Sequence, residues 1–261
     1  MRTIAGCLCA LTLSLASAAW ADAGPVTAAS VMSCMRANIP KTLTVKDVQL
    51  DASDGSGSTR TMQGKLYATR EDDKLRAVIR IAAPSDLAGA SYLLRERDDG
   101  DEMYVYIPAL SKVRRVSGAA VDGSLWGTDL SFADVKQLGN AFSGSDPKIG
   151  KDEVLDGRPV HVLSVMPSAG DSARFTRVLA WVDAKSCVAL RVDFYEGQAV
   201  RKRLSIDARD LRQDGSYWYA SQLQMTDLKQ GSKTLLKVLD IHADKSLPGR
   251  LFNPGTFYIG G

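Results

Sequence analysis

The sequence predicts a mainly β fold (α+β) built on one antiparallel meander, and three observations carry that prediction. From residue 43 onward, apolar side chains recur with a period near 2 in about eleven segments. Short turns rich in Gly and Asp join those segments. Helical 3.6-residue spacing is confined to two short stretches, 28–38 and 132–138.

The first helix runs from Ala28 to Asn38, with Val31, Met32 and Met35 on one face and Pro40 ending it. A strand from Leu43 to Asp51 follows. Asp54-Gly55-Ser56-Gly57-Ser58 turns the chain into a second strand, Thr59 to Thr69. In the third, Leu75, Ala77, Ile79 and Ile81 alternate with Lys74, Arg76, Val78 and Arg80, an apolar face inward and a basic one outward. Pro84 closes it. Ala90 to Arg97 and Glu102 to Ile107 flank Asp98-Asp99-Gly100-Asp101, a hairpin loop of the Asp-Gly kind.

Ser117 to Thr128 is a small-residue loop with Trp126 near its end, and is the candidate for a moving lid. Ser131 fits an N-cap with Asp134 as its partner three positions on, so the second helix spans about Phe132 to Leu138. Gly139 and the Ser143 to Pro147 cluster release the chain. Strands are expected again at Val160 to Val165, Phe175 to Val182, Val188 to Tyr195, Ala199 to Ala208, Tyr217 to Asp227 and Thr234 to Ile241. Pro and Gly are too dense from Pro248 to Gly261 for regular structure. No linker divides the chain, so residues 22–261 read as one domain.

Residues 1–21 read as a cleaved secretory signal. Arg2 supplies the n-region charge, Ile4 to Ala19 carry none, and Ala16-Ser17-Ala18 and Ala19-Trp20-Ala21 both fit the cleavage rule, with cleavage after Ala21 preferred. That apolar run is short of the roughly twenty residues of a membrane span. Ile4-Ala5-Gly6-Cys7 matches a bacterial lipobox but precedes the apolar core instead of following it, so Cys7 leaves with the signal. The mature chain is expected to be soluble.

Removing Arg2 takes the formal charge from +3 to about +2, with both signs intermixed. A nucleic-acid binder would carry a dense basic stripe instead. Two cysteines remain after cleavage, Cys34 and Cys187. In an oxidising compartment an even count suggests a disulfide, closing a loop of about 150 residues; two unpaired buried thiols are the other reading.

Catalytic chemistry is thinly supplied. His161 and His242 both fall in strands, and no G-x-S-x-G elbow accompanies them. Ser145-Asp146-Pro147-Lys148 is a literal S-x-x-K inside a turn cluster. No Cys/His/Asp/Glu spacing suits a metal and no glycine-rich phosphate loop opens a helix, so neither metal nor cofactor is expected. More informative is the apolar content of the strands. A sheet with so little helix leaves part of a concave face for a greasy ligand. By alternation alone, the candidate lining is Leu75, Ile79, Ile81, Tyr92, Leu94, Met103, Trp126, Leu163, Trp181, Leu190, Phe194 and Trp218.

Four segments in order resemble the outer-membrane lipoprotein-sorting, LolA-like family. Trp126-Gly127-Thr128-Asp129-Leu130-Ser131-Phe132-Ala133-Asp134-Val135 is similar to its glycine-Ser-Asp-aromatic-Ser-aromatic-x-Asp-aliphatic signature, with Thr128 for Ser and Leu130 for an aromatic. Tyr106-Ile107-Pro108 through Lys112-Val113-Arg114-Arg115 resembles its Tyr-Leu-Pro…Lys-x-Arg-Arg segment. Asp156-Gly157-Arg158-Pro159-Val160 is similar to its Asp-Gly strand opening, and Trp181-Val182-Asp183 with Leu190 to Tyr195 to its Trp-Val-Asp strand pair. The resemblance spans about Gly64 to Phe252.

It implies a strongly curved antiparallel half-barrel with short helices over the concave face. It also implies a periplasmic carrier of lipid, acyl chain or lipoprotein, often beside an inner-membrane RND-type transporter and touching membranes only transiently. A lipid-sensing adaptor on the same fold, and less readily an envelope lipid hydrolase, are the competing readings.

Overall fold

The computed structural model describes residues 25–138, 145–166, 175–243 and 249–259. The signal-peptide reading of residues 1–21 therefore lies outside the described residues. Helix α1 (Ala28–Ala37) leads into strands β1 (Thr44–Ser53), β2 (Thr59–Glu71), β3 (Lys74–Ala83), β4 (Ser91–Arg95), β5 (Glu102–Ile107) and β6 (Lys112–Val116). A 3-10 turn at Gly118–Asp122 and helix α2 (Asp134–Leu138) separate these from β7 (Ser145–Ile149), β8 (Glu153–Leu155) and β9 (Arg158–Met166). Strands β10 (Arg177–Asp183), β11 (Ala189–Glu196), β12 (Ala199–Ser205), β13 (Leu211–Asp214), β14 (Tyr217–Ala220), β15 (Gln222–Asp227) and β16 (Ser232–Ala243) complete the order.

Fourteen strands form one antiparallel sheet in the order β6-β5-β4-β3-β2-β1-β16-β15-β12-β11-β10-β9-β7, with β8 also on β9. Two meanders thus meet where β16 returns beside β1. The sheet has two free edges, β6 and β7, and does not close into a barrel. It is nevertheless strongly curved. Strands β4 and β9 stand nine places apart in that order, about 43 Å if the sheet were flat. Yet α1 packs near β9 while its Arg36 reaches Glu96, just past the end of β4, at 2.9 Å. One short helix spans both halves only because the sheet wraps around it.

Alternation sorts side chains onto two faces. Inward go Val48 and Leu50 of β1, Leu75, Ala77, Ile79 and Ile81 of β3, and Val192 and Phe194 of β11, around Val31 and Met35 of α1. Outward, Val45, Tyr67, Val78 and Leu93 form a second cluster, covered by Leu251 and Phe257 of the C-terminal segment. That segment opens on a 3-10 turn, Gly249–Phe252, where its Pro and Gly content suggests no regular structure, and its Phe257 is fully buried. The outer face of β3 is therefore not a bare basic surface: Arg80 donates to the Phe257 carbonyl at 2.6 Å, and Arg76 pairs with Glu71.

The extra strands are those with little apolar signal. β6 is an exposed basic edge and β7 contains Pro147 at the opposite edge, the place where a missing N–H is tolerated. β8 is three residues long and turns into β9 through Asp156 and Gly157, whose φ angles of 49° and 78° suit a two-residue primed turn. At Gly64 the backbone of β3 comes so close that a Cβ would sit 2.2 Å from the Arg80 carbonyl, so only glycine fits the bulge there.

Three of the buried carboxylates in charged pairs bear on acid stability. Burial alone would raise Asp193, but Arg191 and Arg203 both chelate it and hold it below its usual value of 3.8. Asp183, held by Arg158 and Ser186, and Glu96, held by Arg36 and the Leu75 amide, behave alike against the same burial. Folded values below unfolded ones mean stability that is complete above the ordinary carboxylate range and lost as pH falls through the folded values. Urea midpoints should be flat from pH 7 to about 5 and fall below about 4. An Asp193→Asn variant should show a shallower acid limb; an identical limb would refute the assignment.

Candidate ligand-binding site

The C-cap of α1 and the two residues after it stand off the concave face and leave a cleft. Its floor is Leu75 and Ala77 of β3, Leu66 and Ala68 of β2, Leu236 and Val238 of β16, and Leu223 of β15. Val192 and Leu204 form the far wall, and Asn38, Ile39 and Pro40 the helix side. Trp218, Tyr219 and Ala220 of β14 are half-buried and mark its solvent side. About 1000 Å³ of space is free of atoms there, the open mouth included, although the centre of a water molecule can occupy only about 90 Å³ of it. The cleft is narrow and mainly apolar, a shape suited to a slender aliphatic group.

The helix side is rigidly held. Cys34 of α1 is disulfide-bonded to Cys187, in the turn between β10 and β11, with Cα atoms 5.7 Å apart. Asn38 spends both ends of its amide on the same job: Nδ2 donates to the Ser186 carbonyl at 2.7 Å, and Oδ1 accepts from the Trp218 amide at 2.9 Å. Those bonds tie the end of α1 to the turn between β10 and β11 and to β14.

Of the twelve residues expected at the lining, Leu75 and Trp218 are there. Ile79, Ile81, Tyr92, Leu94, Met103, Leu163 and Phe194 share the concave face but are packed in the solid part of the core. Trp181 and Leu190 are on the opposite face, in a cluster with Val160 and Val162. The pleat puts Trp181 out of phase with Ala180 and Val182, and a register shift between β10 and β11 leaves Leu190 as an extra residue pointing outward. There Trp181 donates to Glu153 at 2.8 Å, under the Arg191 guanidinium.

Trp126 also lies away from the cleft, in the left-handed region (φ 54°), against the core. Only the end of the expected lid, from Leu125 onward, belongs to a plug. Leu125 and Leu130 are fully buried, and the Leu125 amide bonds the Leu130 carbonyl. Asp129 accepts from Thr234 at 2.7 Å and from Ser232, both on β16. Lys202 of β12 donates to the Asp129 carbonyl and to Asp134. Ser131 and Asp134 exchange capping bonds at 2.7 and 3.2 Å, as the sequence predicts. A segment bonded this way to two central strands is not free to swing.

Neither His161, paired with Asp152, nor His242 lines the cleft. Among the described residues no cluster of three His, Cys, Asp or Glu could hold a metal, and no helix is long and apolar enough to cross a membrane.

Solved structures share this architecture. A DUF1329 family protein from Desulfovibrio piger superposes with a TM-score of 0.78 at 24% identity, over 86% of this chain and 95% of that one. An outer membrane lipoprotein-sorting protein domain from Vibrio parahaemolyticus gives 0.76 at 21%, over 87% and 97%. A LolA superfamily protein from Nitrosomonas europaea gives 0.67 at 17%, over 87% and 98%. At such identities the likeness shows the fold. No curated protein matches the sequence. A family model for a "-like" group of uncharacterized proteins, however, matches residues 73–257, more than half the chain.

The chain belongs to that family of uncharacterized proteins, and its fold is LolA-like. In this family member the segment from Trp126 to Val135 is the plug itself, so its polar residues act by pinning it to β12 and β16.

Lys46 of β1 went unnoticed in the sequence. It lines the cleft with its ammonium 4.9 Å from the Tyr219 ring centroid. Burial lowers it to about 8, with Asp214 acting weakly in the other direction. One signal could have found it: Lys46 is in phase with Val48 and Leu50 on the inward face.

Proposed function

We propose that this protein is a non-catalytic periplasmic carrier that binds lipid or lipidated cargo in the α1–sheet cleft and moves it from the inner toward the outer membrane. The observation that carries this reading is the narrow apolar cleft between the concave sheet and a helix fixed by a disulfide. Each methylene removed from water contributes about 0.8 kcal/mol. Ten methylenes give roughly 8 kcal/mol before the cost of association is subtracted, enough for reversible binding without directional contacts. Export is supported by the N-terminal signal pattern; the periplasmic location, an RND-type transporter as donor and only transient membrane contact are what the resemblance of the sequence segments to the lipoprotein-sorting family implies.

Native mass spectrometry and solvent extraction of the purified protein test the reading, with copurifying acyl species as the expected result. Ala68→Phe combined with Ala220→Phe, at two half-buried wall positions, should weaken uptake of a fluorescent fatty acid at least tenfold while circular dichroism stays native. Uptake undiminished in that variant would place the ligand elsewhere.

A further inference from the structure

The inward positions of β1 run Thr44, Lys46, Val48 and Leu50, so a cation occupies a place where its neighbours are packed into the core. Among the described residues Lys46 is the one charged side chain lining the cleft, and it has neither an ion pair nor a hydrogen bond to its ammonium. Lys202, which also points into the concave side, shows the contrast. It holds Asp134 at 3.2 Å and the Asp129 carbonyl at 2.8 Å. A half-buried ammonium facing an aromatic ring and an apolar wall is normally provided with a counter-charge. The protein supplies none within ion-pair distance; Asp214, on an exposed position of β13, is felt only from farther away.

We propose that the cleft takes a single-chain amphiphile with an anionic end, its tail along the apolar floor and its carboxylate or phosphate against Lys46. This deepens the carrier reading and rests on it. The ring of Tyr219 holds the ammonium by its face, a contact that orients the cation without neutralising it. The depressed basicity of Lys46 agrees, because an anion at that point would recover what burial takes away. A neutral lipid of equal length would fill the same floor and leave the charge uncompensated.

The test compares palmitate, 1-palmitoyl lysophosphatidate and hexadecanol, titrated below their micellar concentrations into the delipidated full chain and read by calorimetry. Wild type should bind at least one of the two anions at least tenfold more tightly than the alcohol. Which anion prevails identifies the end group. Lys46→Met should bring the anion-to-alcohol ratio near one, whereas Lys46→Arg should preserve it, and a native circular dichroism spectrum shows both variants folded. Equal binding of acids and alcohol by wild type, or a preference that survives Lys46→Met, would overturn the Lys46 assignment while leaving the carrier reading intact. Failure of all three to bind would overturn both.

Discussion

Reduction of the Cys34–Cys187 bond should lower the unfolding free energy by about 5 kcal/mol. The bond joins residues 153 apart, and closing so long a loop restricts the unfolded chain strongly in the chain-entropy model. Little else would hold α1 as firmly. It is ten residues long, too short to be stable alone in water, and buries only Val31 and Met35 fully. Its remaining polar ties include the Arg36–Glu96 pair, the Arg36 bond to the Asp73 carbonyl and the two bonds of Asn38. Urea unfolding of the oxidised protein, the dithiothreitol-treated protein and a Cys34→Ala/Cys187→Ala double variant should give the last two nearly equal midpoints, well below the first. Reduction should also impair uptake of a fluorescent fatty acid, since Asn38, Ile39 and Pro40 form one side of the cleft. A reduced protein as stable as the oxidised one would show that the bond is incidental to the fold.

Much of this architecture is legible because the chain obeys period 2 where both faces are specified. Leu75, Ala77, Ile79 and Ile81 read correctly as an inward row, and the Ser131–Asp134 box marks α2. Membership of the inward face, however, does not distinguish a residue that fills the core from one that borders a void. Ile79 and Leu75 look alike in sequence; only Leu75 reaches the cleft, because α1 and the plug cover the rest. Trp181 and Leu190 show a different limit. One register shift reverses the phase between neighbouring strands, and no turn residue announces it. In sequence β14 and β15 read as one strand, since Ser221 is too weak a breaker to reveal where Tyr217–Ala220 leaves the sheet, and β13 does not read as a strand at all. Trp218 was placed at the cleft for its strand phase, but it arrives there on that separate hairpin.

Lys46→Met should make the empty protein more stable at neutral pH, by up to roughly 3 kcal/mol if the cation is as poorly solvated as its surroundings suggest. Burial lowers Lys46 from 10.5 to about 8, so the folded state prefers the neutral amine. Below about pH 8 both folded and unfolded chains carry the charge, and the fold bears the full penalty. Between about 8 and 10.5 the unfolded chain binds the extra proton, so wild-type stability should rise with pH across that window. Part of the side chain still reaches solvent, which makes the figure an upper bound. Tyr92, raised well above 10 by burial, works in the other direction once the unfolded chain ionises above that value. It is common to both proteins and cancels in their difference. Subtracting wild-type urea midpoints from those of Lys46→Met should therefore leave a gain that is largest below pH 8 and shrinks toward pH 10.5. A variant less stable than wild type at pH 7 would mean the ammonium is solvated or paired in the folded protein. A gain in stability, coupled to a lost preference for anionic ligands, would identify Lys46 as a residue whose charge opposes folding of the empty carrier and is compensated only when cargo is bound.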